Sequence, residues 1–480
     1  MLRPALRLPP PLCPAICAAT VRPSSSSSAD CLLQTASALA TFPPFRTAKT
    51  MALDAAKTSS SVKVDLSDRL KGLDKNVWVE YTGLAAKHKA VNLGQGFPDF
   101  PPPAYVTKAL AEATNGANHL LNQYTRGYGH PRLVNVMAEV FSKIHNRPID
   151  PNNEILVTIG AYQSLFCAIT GFINPGDEVI VIEPFFDCYE PMIRYAGGTP
   201  VFVPLHPPKT KTDGMTKSAD WTLDMRELED HFTSKTRMII LNTPNNPLGK
   251  VFTKKELDAI AEICVRKNIL VVSDEVYEWL IFQPNEHIRI ADLPGMWERT
   301  ITVRSAGKTF SVTGWKLGWA IGPANLILNC RVMLQNVSYT SPTPIQEAVA
   351  VGFEIEKDRI GSKECYFQEL PEMLVEKRDR MAEMLQKAGF IPILPEGGYF
   401  MLADYSKLKN MPELPKSDEA ADSVFVKWMI AEKKLATIPV SAFYSQGHKH
   451  LAEEYIRFCF SKNDSTLDAA DKILTDWMRQ

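Results

Sequence analysis

Short apolar runs punctuate the middle of the chain at Ile155–Thr158, Asp177–Ile182, Thr199–Pro204, Arg237–Leu241, Ile269–Ser273, Thr300–Val303 and Trp319–Ile321. Turn residues bound them, as at Asn174-Pro175-Gly176, so each is expected to be a buried strand. Between them lie segments of helical period. In Lys254–Arg266 the apolar Leu257, Ile260, Ala261 and Cys264 share one face, and Thr253 and Glu256 have the spacing of a capping box. Glu154–Phe172 reads as a strand, a tight turn at Gly160–Gln163 and a helix over Ser164–Phe172. Strands separated by helices predict a mostly parallel sheet covered on both faces. Beyond about Pro344 the pattern changes to helices at Ile345–Glu356 and Leu370–Gly389, strand candidates at Tyr399–Asp404 and Glu453–Phe460, and a helix from about Leu467. That region reads as a smaller α+β domain. Upstream, Leu66–Ala90 is loosely helical, with Trp78, Tyr81 and Leu84 on one face.

Composition narrows the class. A chain of 480 residues that is 45% hydrophobic has material for two domains. A net charge of −1 gives no electrostatic footprint for nucleic acid. No apolar run reaches the ~18 residues of a membrane span. Nine cysteines, an odd number and scattered, point to reduced thiols rather than a disulfide framework. His448 and His450 lack a third ligand nearby in sequence, so a surface pair and no metal site is expected. Residues 1–50 differ from the rest: Arg3, Arg7, Arg22, Arg46 and Lys49 face one acid, Asp30, beside the serine run Ser24–Ser28. This is the composition of an organelle transit segment, mitochondrial in type, or of a disordered extension, and Met51 offers a second start for a cytosolic form.

Ligands in parallel sheets bind beyond the carboxyl ends of the strands. Glu183–Tyr189, Thr243–Gly249, Asp274–Tyr277 and Ser305–Lys308 all fall there. Lys308, among small residues after a strand, can lose solvation and become a nucleophilic amine; taken alone it reads better as a loop lysine facing water. Asp274 ends an apolar run, where a carboxylate is costly unless paired, or is an N-cap. Arg457 stands among Tyr455, Ile456, Phe458 and Phe460, suited to a bidentate carboxylate or to a structural ion pair. The glycine turn before Ser164 offers free backbone N–H groups that suit a phosphate.

Six further segments accompany the lysine stretch Ser305–Trp319 in a fixed order: Val91–Phe100, Asn122–Pro131, Glu183–Met192, Leu241–Phe252, Ser273–Glu278 and Tyr455–Phe460. With them the chain from about Trp78 onward resembles the kynurenine aminotransferase / cysteine-S-conjugate β-lyase (glutamine transaminase K) group of fold-type I pyridoxal-phosphate aminotransferases. The resemblance implies an α/β fold, with a large domain at 106–344 built on a mostly parallel seven-stranded sheet between helices. A smaller α+β domain would comprise 345–480, with 51–105 as an N-terminal arm contributing to it. It implies pyridoxal 5'-phosphate on Lys308 as the catalytic residue, with Asp274 on the ring nitrogen. Asn246 and Tyr277 would face the phenolic oxygen, and Phe186 the ring. Gly160, Ala161, Tyr162, Ser305 and Lys316 would hold the phosphate. Many aminotransferases carry arginine where this chain has Lys316, which puts a point charge in place of a bidentate fork. Gly96, Trp78, Asn246 and Arg457 would take the substrate. Tyr124 would reach the other subunit's cofactor, which implies a homodimer. The implied reaction is ping-pong transfer from L-kynurenine, glutamine, methionine or aromatic amino acids to 2-oxoglutarate or pyruvate, kynurenine giving kynurenic acid. Elimination from cysteine S-conjugates is the alternative main activity, glutamine–phenylpyruvate transamination another. A binding or regulatory protein without turnover is a third class, disfavoured because Lys308, Asp274 and Arg457 are all present.

Overall fold

The computed structural model describes residues 65–73, 76–208, 214–409, 411 and 413–479. The basic segment 1–50 and Met51 lie outside them. Seven strands form the central sheet in the spatial order Ile155–Thr158, Gly318–Ile321, Thr300–Ser305, Leu270–Asp274, Thr236–Asn242, Glu178–Glu183, Thr199–Pro204. All neighbours are parallel except Gly318–Ile321, which runs antiparallel to both of its partners. The predicted strands are therefore all present. They are near-continuous apolar runs because both faces are covered: every residue of Ile155–Thr158 and of Gly318–Ile321 is buried.

The covering helices follow the same logic. Lys254–Lys267 starts on the expected capping box between Thr253 and Glu256 and buries Leu257, Ile260, Ile263 and Cys264. Each large aliphatic side chain so buried contributes about 1.5–3 kcal/mol. Pro131–Ile144 opens with proline in its first turn and turns Leu133, Met137, Val140 and Phe141 inward. A second sheet of five strands is assembled from Ile438–Pro439, Tyr455–Cys459, Phe400–Asp404, Ile391–Leu394 and the two-residue strand Thr216–Lys217. Val91–Asn92 pairs separately with Leu435–Ala436, which brings the segment after it beside Tyr455–Cys459. Among the described residues six cysteines are free and buried, and no helix is long and apolar enough to cross a membrane.

Register sets the site. Asn242 lies opposite Asp274, and Gly318 lies between Thr158 and Ser305. The carboxyl ends of adjacent strands thus converge on one point.

Candidate active site

A cavity of about 370 Å³ opens at that edge of the seven-stranded sheet. Trp78, Gly96, Gly160, Ala161, Tyr162, Phe186, Asn246, Asp274, Tyr277, Ser305, Lys308, Lys316 and Arg457 all line it. Every residue singled out from the sequence is there except Tyr124. That side chain is 85% exposed and packs edge-to-face on Tyr339, ring centroids 5.7 Å apart.

Asp274 is buried at the end of its strand and accepts a 2.6 Å hydrogen bond from the Tyr189 hydroxyl. Burial pushes its carboxyl up to about 6, against the pull of Tyr189 and the Val276 N–H. No helix follows it, so it is not an N-cap. Asn242 ties the turn together, donating from Nδ2 to Asp274 O at 3.0 Å and accepting from the Asn246 N–H at 2.8 Å.

Lys308 sits in a one-turn helix, Ala306–Thr309, rather than an open turn. Its Nζ donates to the Tyr399 hydroxyl and approaches Gly96 O at 3.5 Å. Loss of water draws the amine down to about 8; Arg457 and Lys316 push the same way and Cys459 opposes them.

Gly160–Gln163, expected as a turn, is instead the first turn of the helix Gly160–Thr170. The reason is Gly160 itself, whose φ of +73° lets the chain reverse and start the helix at one residue. No side chain caps that helix, so its leading N–H groups face the cavity's end with their partial positive charge. The Lys316 side chain lies over Gly160: a Cβ there would meet Lys316 Nζ at 3.6 Å. Gly318 allows the strand to touch this corner, since a Cβ would stand 2.3 Å from Ala161 N.

At the opposite end Arg457 is fully buried. It donates from Nη1 to Asn246 Oδ1 and from Nη2 to Gly94 O, both at 2.8 Å. Its guanidinium carbon lies 3.8 Å from the centre of the Phe400 ring, 4.9 Å from that of Phe443 and 5.1 Å from that of Trp78. Burial lowers its pKa to about 10. No acid among the described residues pairs with it, and its buried Nε has no partner. The Trp78 ring is fixed by a 2.8 Å bond from Nε1 to Asp187 Oδ2.

The cavity therefore has a cationic, N–H-rich corner suited to a phosphate, a buried acid suited to a ring nitrogen, a desolvated amine suited to an aldehyde, and a guanidinium still lacking its anion. This donor set fits pyridoxal phosphate with an amino acid. Reading the sequence missed Tyr189, Tyr399, Asn242 and Phe400. Tyr189 lies inside the segment Glu183–Met192, and Tyr399 follows Gly397-Gly398, but neither is a charge in an apolar setting. His448 and His450 do lie together, ring centroids 6.5 Å apart, and His448 Nδ1 also meets the buried carboxylate of Glu183. Glu275, Glu278 and His287 bring ligand atoms within 4.8 Å of one another. Their carboxylates already engage Arg304, Arg289 and His287, so they form an ion-pair network.

Residues 88–473 match the family model for aminotransferase class I and II. The chain is 55% identical over 421 residues to kynurenine–oxoglutarate transaminase 3 of Mus musculus, covering 88% of this chain and 92% of that one. It is 48% identical over 411 residues to kynurenine–oxoglutarate transaminase 1 of Homo sapiens, covering 85% and 97%. The crystal structure of Bna3p from Saccharomyces cerevisiae superposes with a TM-score of 0.81 at 35% identity, covering 87% of this chain and 100% of that one. With the sheet, the cavity and its donor set in agreement, this chain belongs to the class I and II aminotransferases, enzymes that work with pyridoxal phosphate.

Proposed function

We propose that the chain transfers the amino group of L-kynurenine, and of glutamine, methionine or aromatic amino acids, to a 2-oxo acid such as 2-oxoglutarate or pyruvate. The observation that carries this is one cavity holding a depressed lysine, a buried aspartate and an anion-seeking arginine. The names of the mammalian relatives supply the donor. Bound pyridoxal phosphate supplies an aldehyde that accepts the amino group and a ring that draws electrons from the substrate Cα. Asp274 retains a proton on the ring nitrogen. Asn246 and Tyr277 would donate toward the phenolic oxygen, and Phe186 would pack against the ring. Gly160, Ala161, Tyr162, Ser305 and Lys316 hold the phosphate. Arg457, Asn246 and Gly96 take the α-carboxylate, while Trp78 borders the substrate side chain. Lys308 Nζ, part of it free base near neutrality, takes the proton from Cα and returns it on the other side of the transfer.

The reading includes a homodimer. Tyr124, Tyr339 and Leu120 are exposed, as are Leu328 and Val332, one turn apart on the helix Ala324–Val337. Such a surface favours burial against a second copy. The basic, serine-rich residues 1–50 support delivery to mitochondria, tested by fusing them to a fluorescent protein.

The deciding experiment follows the cofactor absorption band of purified holoenzyme on adding L-kynurenine with no oxo acid. The band should shift, and 2-oxoglutarate should restore it. An unchanged band with kynurenine, together with pyruvate release from a cysteine S-conjugate, would instead make β-elimination the main activity.

A further inference from the structure

The loop Gly94–Asp99 covers the carboxylate end of the cavity, and side chains hold its carbonyls. Arg457 takes Gly94 O at 2.8 Å and the Tyr399 hydroxyl takes Gly96 O at 3.0 Å. Lys462 takes the two carbonyls in the positions flanking Gly96. Its Nζ donates to Phe97 O at 2.9 Å and to Gln95 O at 3.3 Å, and lies 3.7 Å from the centre of the Phe97 ring. Lys462 is 1% exposed, and no acid among the described residues ion-pairs with it. A buried ammonium satisfied only by carbonyls and a ring is costly to keep, so its placement calls for a reason.

The amide of Gly96 supplies one. The N–H groups of Gly94 and Gln95 are taken by Asn92 Oδ1, and that of Phe97 by Gln95 O. The Gly96 N–H has no partner among the described residues, and Gly96 lines the cavity. The Gln95–Gly96 peptide is trans. In a trans peptide C=O and N–H point to opposite sides. A cation fixed on Gln95 O therefore turns the Gly96 N–H away from itself, and it polarises that N–H through the peptide. Glycine is required at the position, since a Cβ would stand 2.3 Å from Phe400 Cζ.

We propose that Lys462 is a positioning residue for the substrate carboxylate: it aims and strengthens the Gly96 N–H as the third donor beside Arg457 and Asn246. This rests on the reading that those groups hold the carboxylate. The test titrates holoenzyme with 3-phenylpropanoate, which has a carboxylate and no amine, by calorimetry. In parallel, phenethylamine, with an amine and no carboxylate, is followed by cofactor absorbance. In Lys462→Met the acid should bind about tenfold more weakly with the amine unaffected, and Lys462→Arg should restore most of the loss. Unchanged binding of the acid, or equal weakening of both ligands, overturns the proposal. Should the methionine variant not fold, Lys462→Gln, uncharged and still able to donate, carries the same comparison. Arg457→Gln separates the two levels: if it leaves acid binding intact, the carboxylate site itself is wrong, whereas if it weakens binding and Lys462→Met does not, only the role of Lys462 falls.

Discussion

Asp274 and Lys308 are displaced in opposite senses by the same loss of water. The Asp274 carboxyl, ordinarily near 3.8, titrates near 6. Between those values the folded, cofactor-free chain binds more protons than the unfolded one, so this group destabilises the fold increasingly as pH rises from about 4 to 6. A protonated ring nitrogen removes that cost by pairing with the carboxylate. Affinity for pyridoxal phosphate should therefore strengthen as pH rises through about 6, and in Asp274→Asn that part of the rise should vanish in equilibrium dialysis. Lys308 shows the converse: with its pKa near 8 instead of 10.5, its destabilising effect is present below 8 and fades toward 10.5. Asp274 was legible in the sequence because a charge at the end of an apolar run must answer for its desolvation, whereas Lys308, among small residues, was legible only in the company of the other segments. Tyr189, Tyr399 and Lys462 were not. A tyrosine in an apolar run looks like any core aromatic. Lys462 acquires its meaning only from Gln95 and Phe97, which lie far away along the chain.

The elements were legible wherever local pattern and final environment agreed. The capping box at Thr253 is local, and it formed. The helix at Gly160 began early because that glycine takes a positive φ, which the pattern of apolar and polar positions does not encode. The strand Thr216–Lys217 is too short to carry a period. Two substitutions separate kinds of element. Gly318→Ala drives a Cβ into Ala161 N, Gly160 C and Arg304 O. It should lower stability by about 1–3 kcal/mol and weaken cofactor binding, read by thermal unfolding and dialysis. Thr253→Ala should cost about 1 kcal/mol and leave turnover unchanged. The turn after Asp274 is braced from behind: Glu278 takes Arg304 Nε and Arg289 Nη2, each at 2.8 Å. Burial pushes the neighbouring Glu275 carboxyl up, but His287, Arg304 and Arg289 outweigh it and hold it at about 2. Removing one partner strands buried charge, so Glu278→Ala should cost about 3–5 kcal/mol in denaturant unfolding.

At the scale of the molecule, Tyr124 is the test of assembly. It lies outside its own chain's cavity, so in a homodimer its role belongs to the neighbouring site. Tyr124→Ala and Lys308→Ala chains, each nearly inactive alone, should regain about a quarter of the native activity when unfolded and refolded together. Half of the random dimers would be hybrids, with one intact site of two. No recovery would mean that Tyr124 serves its own chain or none. The stitching of Gly94–Asp99 by Arg457, Lys462 and the Asn463 amide on Asp99 reaches further, into biosynthesis. A loop made before the sheet is held in large part by residues made well after it. The large sheet can condense while the ribosome is still working, and Lys308 with it, but the pocket has no anion clamp until Arg457 has been made as well. A nascent chain can thus hold a reactive amine before it is able to choose a substrate.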